Sequence, residues 1–434
     1  QDPVDTRRGA HRAMDVSRLC RRVTLLALRL QARHVAVFRK ELDGSLLQMR
    51  RESCVRDDFE ERQPVTKLML FQPDIHGVED LPGDKQAFLR AQEEEGGVGV
   101  LEFLQFPLEI GYKHMTAAEA QSVLLPEGVE PVSSFETVGH IIHVNLKDSQ
   151  LPHRHVIGQI LLDKNPRLRT VVNKLANIGS LYREFKMEVI AGEDDMLVEM
   201  KEHGFRFRFD YSKVYWNSRL SSEHQRLVSS FSSEDIVCDA CCGVGPFAVP
   251  AGTVCKKVLA NDLNPASVEA LRENIRINRV EDTVETFNMD AREFLRHLVD
   301  THTPFHHVIM NLPASAASFL DVFQGLYAAP SAQDLPLPRI HCYTFFKGSG
   351  DFLKGALKEC EQFLGTDELS AQGGDEKFQL ELYDVRNVAP NKEMVCVSFQ
   401  LPPSVAYRQS GVKRTLQEAC DTDAASSSTE PSAS

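Results

Sequence analysis

Asp239, Gly243, Gly245, Asp262, Asp290 and Asn311 are the residues whose types and spacing point to chemistry. The run Asp239-Ala240-Cys241-Cys242-Gly243-Val244-Gly245-Pro246-Phe247 follows the apolar pair Ile236 and Val237 and precedes Ala248 and Val249. Strand, glycine turn and helix are the elements that bring backbone close to a nucleotide-like ligand. Two features argue against a dinucleotide. The glycines form G-x-G without the third glycine that lets helix and strand pack beside a pyrophosphate. Asp239 precedes them, and a carboxylate there repels phosphate but accepts a hydrogen bond from an ammonium. S-adenosylmethionine carries an ammonium and a sulfonium and no phosphate. An ordinary glycine turn is the plainer alternative for this run alone. Cys241 and Cys242 read as small residues of the turn, not as nucleophiles.

The segments that follow repeat the arrangement. Val258 to Asn261 predicts a strand ending at Asp262 and Leu263, and Asp262 lies about 20 residues beyond the first glycine, where doubly wound folds place the acid for ribose hydroxyls. Asn264 and Pro265 predict the cap and first turn of a helix. Val284 to Phe287 predicts a third strand, with Asp290 and Ala291 beyond it as adenine contacts. His307 to Met310 predicts a fourth, ending in Asn311-Leu312-Pro313-Ala314. Each candidate lies past a strand's C-terminal end, where open α/β sheets bind ligands.

Composition sets the frame. At 434 residues, 42% hydrophobic and 26% charged, the chain is ordinary for a globular protein of more than one domain. The ten cysteines show no repeated C-x-x-C, which favours a reduced compartment over a zinc or disulfide scaffold. His153 and His155 lack partner ligands, and no metal is expected. The net charge of −13 does not advertise a nucleic-acid binder, although segregated charges make net charge a poor guide. Bases gather near the N-terminus and at Lys164, Arg167, Arg169 and Lys174, which form either a phosphate-contacting face or a solvated one. Acids gather at Asp57 to Glu61, at Glu93 to Glu95 and in the C-terminal tail.

Along the chain, Val23 to Leu30 reads as an apolar patch on a basic helix, either a mitochondrial targeting segment or the start of a domain. Helices are predicted over Thr116 to Leu125, Pro152 to Asp163 and Gln225 to Ser229. Val138 to Leu146 alternates like a single strand. Further strands are predicted over Thr170 to Lys174, Lys186 to Ile190 and Phe205 to Phe209. Leu380 to Val388 and Met394 to Leu401 predict a hairpin turning at Pro390-Asn391. Beyond about Arg408 the composition predicts a disordered tail.

The chain resembles the eukaryotic and archaeal tRNA (guanine-37-N1)-methyltransferases over roughly Leu124 to Pro402. The carrying runs include Gly139-His140-Ile141, Asp163-Lys164-Asn165-Pro166 and Tyr182-Arg183-Glu184-Phe185. Others are Ser212-Lys213-Val214-Tyr215-Trp216-Asn217, Arg219-Leu220-Ser221-Ser222-Glu223-His224, Asn261-Asp262-Leu263-Asn264-Pro265, Met310-Asn311-Leu312-Pro313-Ala314 and Arg386 to Met394. The family often has Asp-x-Phe-Ala-Gly where this chain has Asp239 to Gly243, and Asn-Pro-Arg-Leu where it has Asn217-Ser218-Arg219-Leu220.

The resemblance implies a doubly wound α/β, class I S-adenosylmethionine-dependent methyltransferase domain at residues 211–404. It implies a small α+β RNA-binding domain at 116–210, an N-terminal tRNA-corner domain at 1–115 and a tail at 405–434. It implies transfer of a methyl group from S-adenosylmethionine to N1 of guanosine 37 of tRNA by a monomer that grips the anticodon arm and outer corner. Glu223 then matches the general base and Arg183 the cation that stabilises charge developing on the guanine. Asn311 and Pro313 match a loop lining the target-base pocket, Tyr215 a substrate contact and His224 a cofactor contact. Taken without the resemblance, Glu223 is a helix N-terminal acid, Arg183 a surface ion pair, Tyr215 a core aromatic and His224 a helix-surface residue. The compartment stays open among mitochondrial matrix, cytoplasm and nucleus. The nearest rival reading is an aminocarboxypropyl transferase acting on modified guanosine 37. An inactive RNA-binding paralogue and a nicotinamide dehydrogenase follow it.

Overall fold

The computed structural model describes residues 16–60, 65–94, 100–175, 186–348, 350–389 and 391–409. They divide into two units. One holds the residues up to Leu175 together with Met187–Asp194, and the other holds Lys186 and those from Asp195 onward.

The first unit carries two four-stranded sheets. Strands β1 (Arg21–Gln31), β2 (Val55–Asp57), β3 (Thr66–Leu70) and β4 (Glu102–Ile110) pair in the order β2-β3-β1-β4, with β1 antiparallel to both β3 and β4. Val23 to Leu30 is therefore an interior strand, not a helix. Leu26, Leu28 and Leu30 pack with Phe38 and Phe71 on one face, while Leu25 and Ala27 pack with Leu47, Leu70 and Leu108 on the other. A strand buried on both faces reads as a continuous apolar run, and such a run cannot be told from a buried helix by periodicity.

The second sheet is β5 (Glu136–Val138), β6 (Ile141–Val144), β7 (Thr170–Lys174) and β8 (Met187–Gly192), in that spatial order. The single strand expected over Val138 to Leu146 is a hairpin that turns at Gly139, whose φ of 55° is the left-handed conformation glycine supplies. β6 and β7 are parallel, and the helix Arg154–Lys164 crosses between them. The helix expected at Thr116 runs over Ala117–Leu124, with Thr116 and Glu119 forming a capping box.

The second unit opens with the hairpin β9 (Leu197–Glu202) and β10 (Phe205–Asp210). The sequence predicts only the strand Phe205 to Phe209 here and places it in the middle domain, 116–210. Its bonds run instead to the helix Pro265–Asn278: the Arg206 and Arg208 amides donate to Asn278 Oδ1 and Asn274 Oδ1 at 2.9 and 2.7 Å. The remaining strands are β11 (Ile236–Asp239), β12 (Lys257–Asn261), β13 (Val284–Phe287), β14 (His307–Met310), β15 (Arg339–Lys347), β16 (Glu381–Ala389) and β17 (Lys392–Gln400). They form one sheet in the order β13-β12-β11-β14-β15-β17-β16. The first five are parallel, and β17 runs antiparallel to both neighbours. The order reverses between β11 and β14, which is the switch point where doubly wound sheets open a ligand crevice. Cys238, Leu259, Phe294, Val308, Ile340 and Val397 form part of the core beneath it.

Candidate active site

The glycine turn begins where β11 ends. Ala240 is held to β14 (Ala240 N–H to Ile309 O, 2.9 Å) and Cys242 to β12 (Cys242 N–H to Asn261 O, 2.8 Å). Gly243 and Gly245 then take φ of 54° and 94°. A Cβ on Gly245 would lie 2.6 Å from Leu271 Cδ1, so this glycine is required by packing. A Cβ on Gly243 would point into open space. The backbone there is uncovered on that side, as a close approach to a ligand needs.

Asp239 is fully buried, and among the described residues neither carboxylate oxygen has a well-aligned hydrogen-bond donor, the Cys241 amide being a weak partner. Burial drives its pKa well above the ordinary carboxylate range, the Asp262 charge adds to this, and the Cys241 amide opposes it. A buried carboxylate without a strong partner is costly. An ammonium delivered by a ligand would remove that cost, and S-adenosylmethionine has such a group.

Asp262 closes the turn from the next strand. Its Oδ2 accepts the Gly243 amide at 2.8 Å and its Oδ1 the Asn264 amide at 2.9 Å. Burial raises its pKa while those two amides lower it. Asn264 caps the helix Pro265–Asn278 through the Ala266 amide, as the sequence predicted. Leu263 is exposed beside Asp262. Asp290 uses Oδ1 to cap the helix Ala291–Asp300 at the Arg292 and Glu293 amides, which anchors Ala291 at the end of β13.

Asn261 was not singled out from sequence, yet it joins three loops. Its side-chain amide donates to the Ala240 and Met289 carbonyls at 3.1 Å each and accepts from the Met289 amide at 2.9 Å. Asn274 ties Val244 of the glycine turn to the helix behind it (Asn274 Nδ2 to Val244 O, 3.0 Å). A fully buried amide ending an apolar strand was the available signal for Asn261.

Past β14, Asn311 Oδ1 is buried and has no hydrogen-bond partner among the described residues. The Pro313 carbonyl accepts the Phe345 amide at 3.2 Å, which fixes the loop to β15. An oriented, unsatisfied amide oxygen at this edge suits a ligand N–H donor.

The helix Ser221–Val228 brings Glu223 and His224 to the same unit. Glu223 is 3% exposed. Its Oε1 accepts Tyr343 Oη–H at 2.7 Å, and both oxygens take the Arg226 guanidinium, Nε to Oε2 and Nη2 to Oε1 at 2.7 Å each. Glu223 does lie in the first turn of its helix, as the plainer reading has it, and is there a buried, oriented carboxylate. His224 is not on the helix surface. It is buried, bonded through Nδ1 to Glu202 Oε1 at 2.7 Å and edge-on to Phe247, 4.7 Å between ring centroids. Tyr215 is 47% exposed, so it is not a core aromatic, and its hydroxyl meets Asn217 Nδ2 at 3.4 Å. Arg183 lies outside the described residues, as do Pro390 and most of the tail from Arg408.

In the first unit, Arg167 and Arg169 are exposed, whereas Lys164 and Lys174 are half-buried and burial lowers the pKa of each. Lys164 is committed locally: its ammonium donates to the Tyr112 carbonyl and lies 3.7 Å from the Tyr112 ring centroid.

Comparison with known proteins gives this geometry its context. The family model for the TRM5/TYW2 methyltransferase domain matches residues 198–329, and that for the TYW2 N-terminal domain matches 121–195. A tRNA (guanine(37)-N(1))-methyltransferase of Phytophthora infestans is 42% identical over 88% of this chain and 90% of its own length. Those of Dictyostelium discoideum and Xenopus tropicalis are 41% and 39% identical, covering 76% and 85% of this chain and 69% and 74% of their own. The solved complex of aTrm5 and tRNALeu superposes with a TM-score of 0.63 at 24% identity, covering 87% of this chain and all of that one. Trm5b from Pyrococcus abyssi superposes with 0.56 at 21%, covering 86% and 98%. These structures share the doubly wound, class I methyltransferase fold described above. With relatives this similar over most of its length, the chain belongs to the tRNA (guanine(37)-N1)-methyltransferase family.

Proposed function

We propose that this chain transfers a methyl group from S-adenosylmethionine to N1 of guanosine 37 in tRNA, with Glu223 as general base. The carrying observation is the buried Asp239 carboxylate, with no well-aligned hydrogen-bond donor among the described residues, beside an open glycine turn in a chain of this family. When bound, S-adenosylmethionine supplies the electrophilic methyl group. Asp239 would take its ammonium, Gly243 and Gly245 would line its methionine portion, and Asp262 would accept from the ribose hydroxyls. Leu263, Asp290 and Ala291 would border the adenine, with His224 packed behind the site.

Guanine N1 carries a proton at neutral pH, so its attack requires a base and compensation for the charge that develops on the ring. Glu223 would take that proton. Arg183 would face the developing charge, as the resemblance assigns it; its planar, permanently charged fork suits two acceptors. Asn311 Oδ1 would accept from the guanine edge, with Pro313 and Tyr215 lining the pocket. The target nucleotide has to leave its stack to enter. Lys164, Arg167 and Lys174 were expected to contact phosphates; the exposed Arg167 now carries that proposal, and Lys164 acts as a brace within its own unit.

The test is to incubate the protein with an unmodified tRNA transcript and S-adenosylmethionine, digest the RNA and weigh the nucleoside from position 37. N1-methylguanosine supports the reading. An aminocarboxypropyl adduct would overturn it in favour of the group-transfer reaction, and unchanged guanosine with intact cofactor binding would overturn it as well.

A further inference from the structure

Glu223 has more hydrogen-bond donors around it than a helix-end acid needs. An ionised carboxylate offers about four lone-pair sites, two on each oxygen. Oε1 receives two donors, Tyr343 Oη–H and Arg226 Nη2–H, and is saturated. Among the described residues Oε2 receives Arg226 Nε–H alone, which leaves one site.

Neither donor is accidental. Tyr343 lies on β15, is fully buried, and has its ring 5.8 Å from that of Phe247, just past the glycine turn. Burial pushes its phenol pKa up, so it stays a donor at physiological pH. Arg226 is half-buried and lies one turn along the helix from Glu223. Its guanidinium stacks 4.0 Å from the Tyr383 ring centroid on β16 and reaches Glu381 Oε1 at 3.4 Å. Two strands of the sheet therefore fix the two groups that hold the carboxylate.

We propose that Tyr343 and Arg226 are positioning residues that occupy three of the four acceptor sites of Glu223 and leave one site on Oε2 for the N1 proton of guanine. This rests on Glu223 being the base. The N–H electron pair forms the new bond to the methyl carbon as that carbon's bond to sulfur breaks, the pair of the broken bond stays on sulfur as a neutral thioether, and the N1 proton passes to Oε2, which becomes O–H. The Arg226 fork and the Tyr343 hydroxyl orient the carboxylate through charge-assisted hydrogen bonds.

The test compares Tyr343→Phe, Arg226→Lys and Glu223→Gln in steady-state methyl transfer to a guanosine-37 transcript across pH. Tyr343→Phe keeps ring volume and is expected to lower kcat about tenfold with KM for tRNA changed less than about twofold, the size of one charge-assisted hydrogen bond. With one donor gone, the acidic limb of its pH–kcat profile should move to higher pH. Arg226→Lys, which keeps charge but loses the fork, should move the limb the same way. Cofactor affinity and thermal midpoint check that both variants fold. If folded Tyr343→Phe and Arg226→Lys both keep wild-type kcat and an unmoved acidic limb while Glu223→Gln is inactive, the positioning proposal fails and the base assignment stands. If Glu223→Gln itself turns over normally, both fail.

Discussion

Asp262 Oδ2 accepts the Gly243 amide at 2.8 Å, so the carboxylate ending one strand shapes the turn ending its neighbour. The same carboxylate holds the Asn264 amide with its other oxygen. Asp262→Asn would keep the volume but point an N–H₂ at one of those two amides. S-adenosylmethionine affinity should fall by about tenfold to a hundredfold, the cost of one broken charge-assisted bond and one clash of donors. Titration calorimetry measures this. Unchanged affinity would show that the turn holds its shape without Asp262.

Asp239 separates stability from function. Its charge is buried with no well-aligned donor among the described residues, so Asp239→Asn should leave the ligand-free protein at least as stable at neutral pH while weakening S-adenosylmethionine binding about a hundredfold. The pH dependence has a definite sign. A carboxyl whose folded pKa is raised binds more protons folded than unfolded, so apo stability falls as pH rises from the ordinary carboxylate value of 3.8 through the raised one. Asp262 contributes in the same direction. Bound ammonium removes the penalty on Asp239. The rise in thermal midpoint on adding S-adenosylmethionine should therefore grow with pH and shrink in Asp239→Asn.

Buried His341 and half-buried His307 form a pair on the sheet. Their rings stack with centroids 5.4 Å apart, His307 Nδ1 meets His341 Nε2 at 3.1 Å, and His341 Nδ1 meets Ser398 Oγ at 2.8 Å. Burial lowers the pKa of both, and Asp235 partly offsets this for His307. Unfolding lets each take a proton near its ordinary value of 6.5, so stability is lost as pH falls through that value. Urea midpoints at pH 7.5 and 5.5 should differ clearly in the wild type. His341→Gln should narrow the gap, at the cost of some stability at the higher pH. An unchanged gap would mean that other groups set the acid sensitivity.

The placement of the candidates near strand ends was legible in the sequence because each was fixed by its own neighbours. Asp262 and Asp290 end predicted strands, and Asn264 with Pro265 marks a helix start through local capping. The hairpin over Glu381–Ala389 and Lys392–Gln400 was legible for the same reason. What stayed hidden depends on residues far apart in the chain. Tyr343 lies 120 residues from Glu223, and nothing local marks it as a carboxylate's partner. The run Val23 to Leu30 was misread because burial on both faces erases the alternation that identifies a strand. Lys164 read as a phosphate contact because its neighbours are basic, whereas its partner is the distant Tyr112.

The central claim is methyl transfer to guanosine 37 with Glu223 taking the proton. It is tested most directly by labelled S-adenosylmethionine and two unmodified transcripts that differ in carrying G or A at position 37, with wild-type protein and Glu223→Gln side by side. The account predicts label on the G transcript alone, at N1, with turnover by Glu223→Gln reduced about a hundredfold or more, as expected for loss of a general base. Equal labelling of both transcripts, or wild-type turnover by Glu223→Gln with cofactor binding intact, would contradict it.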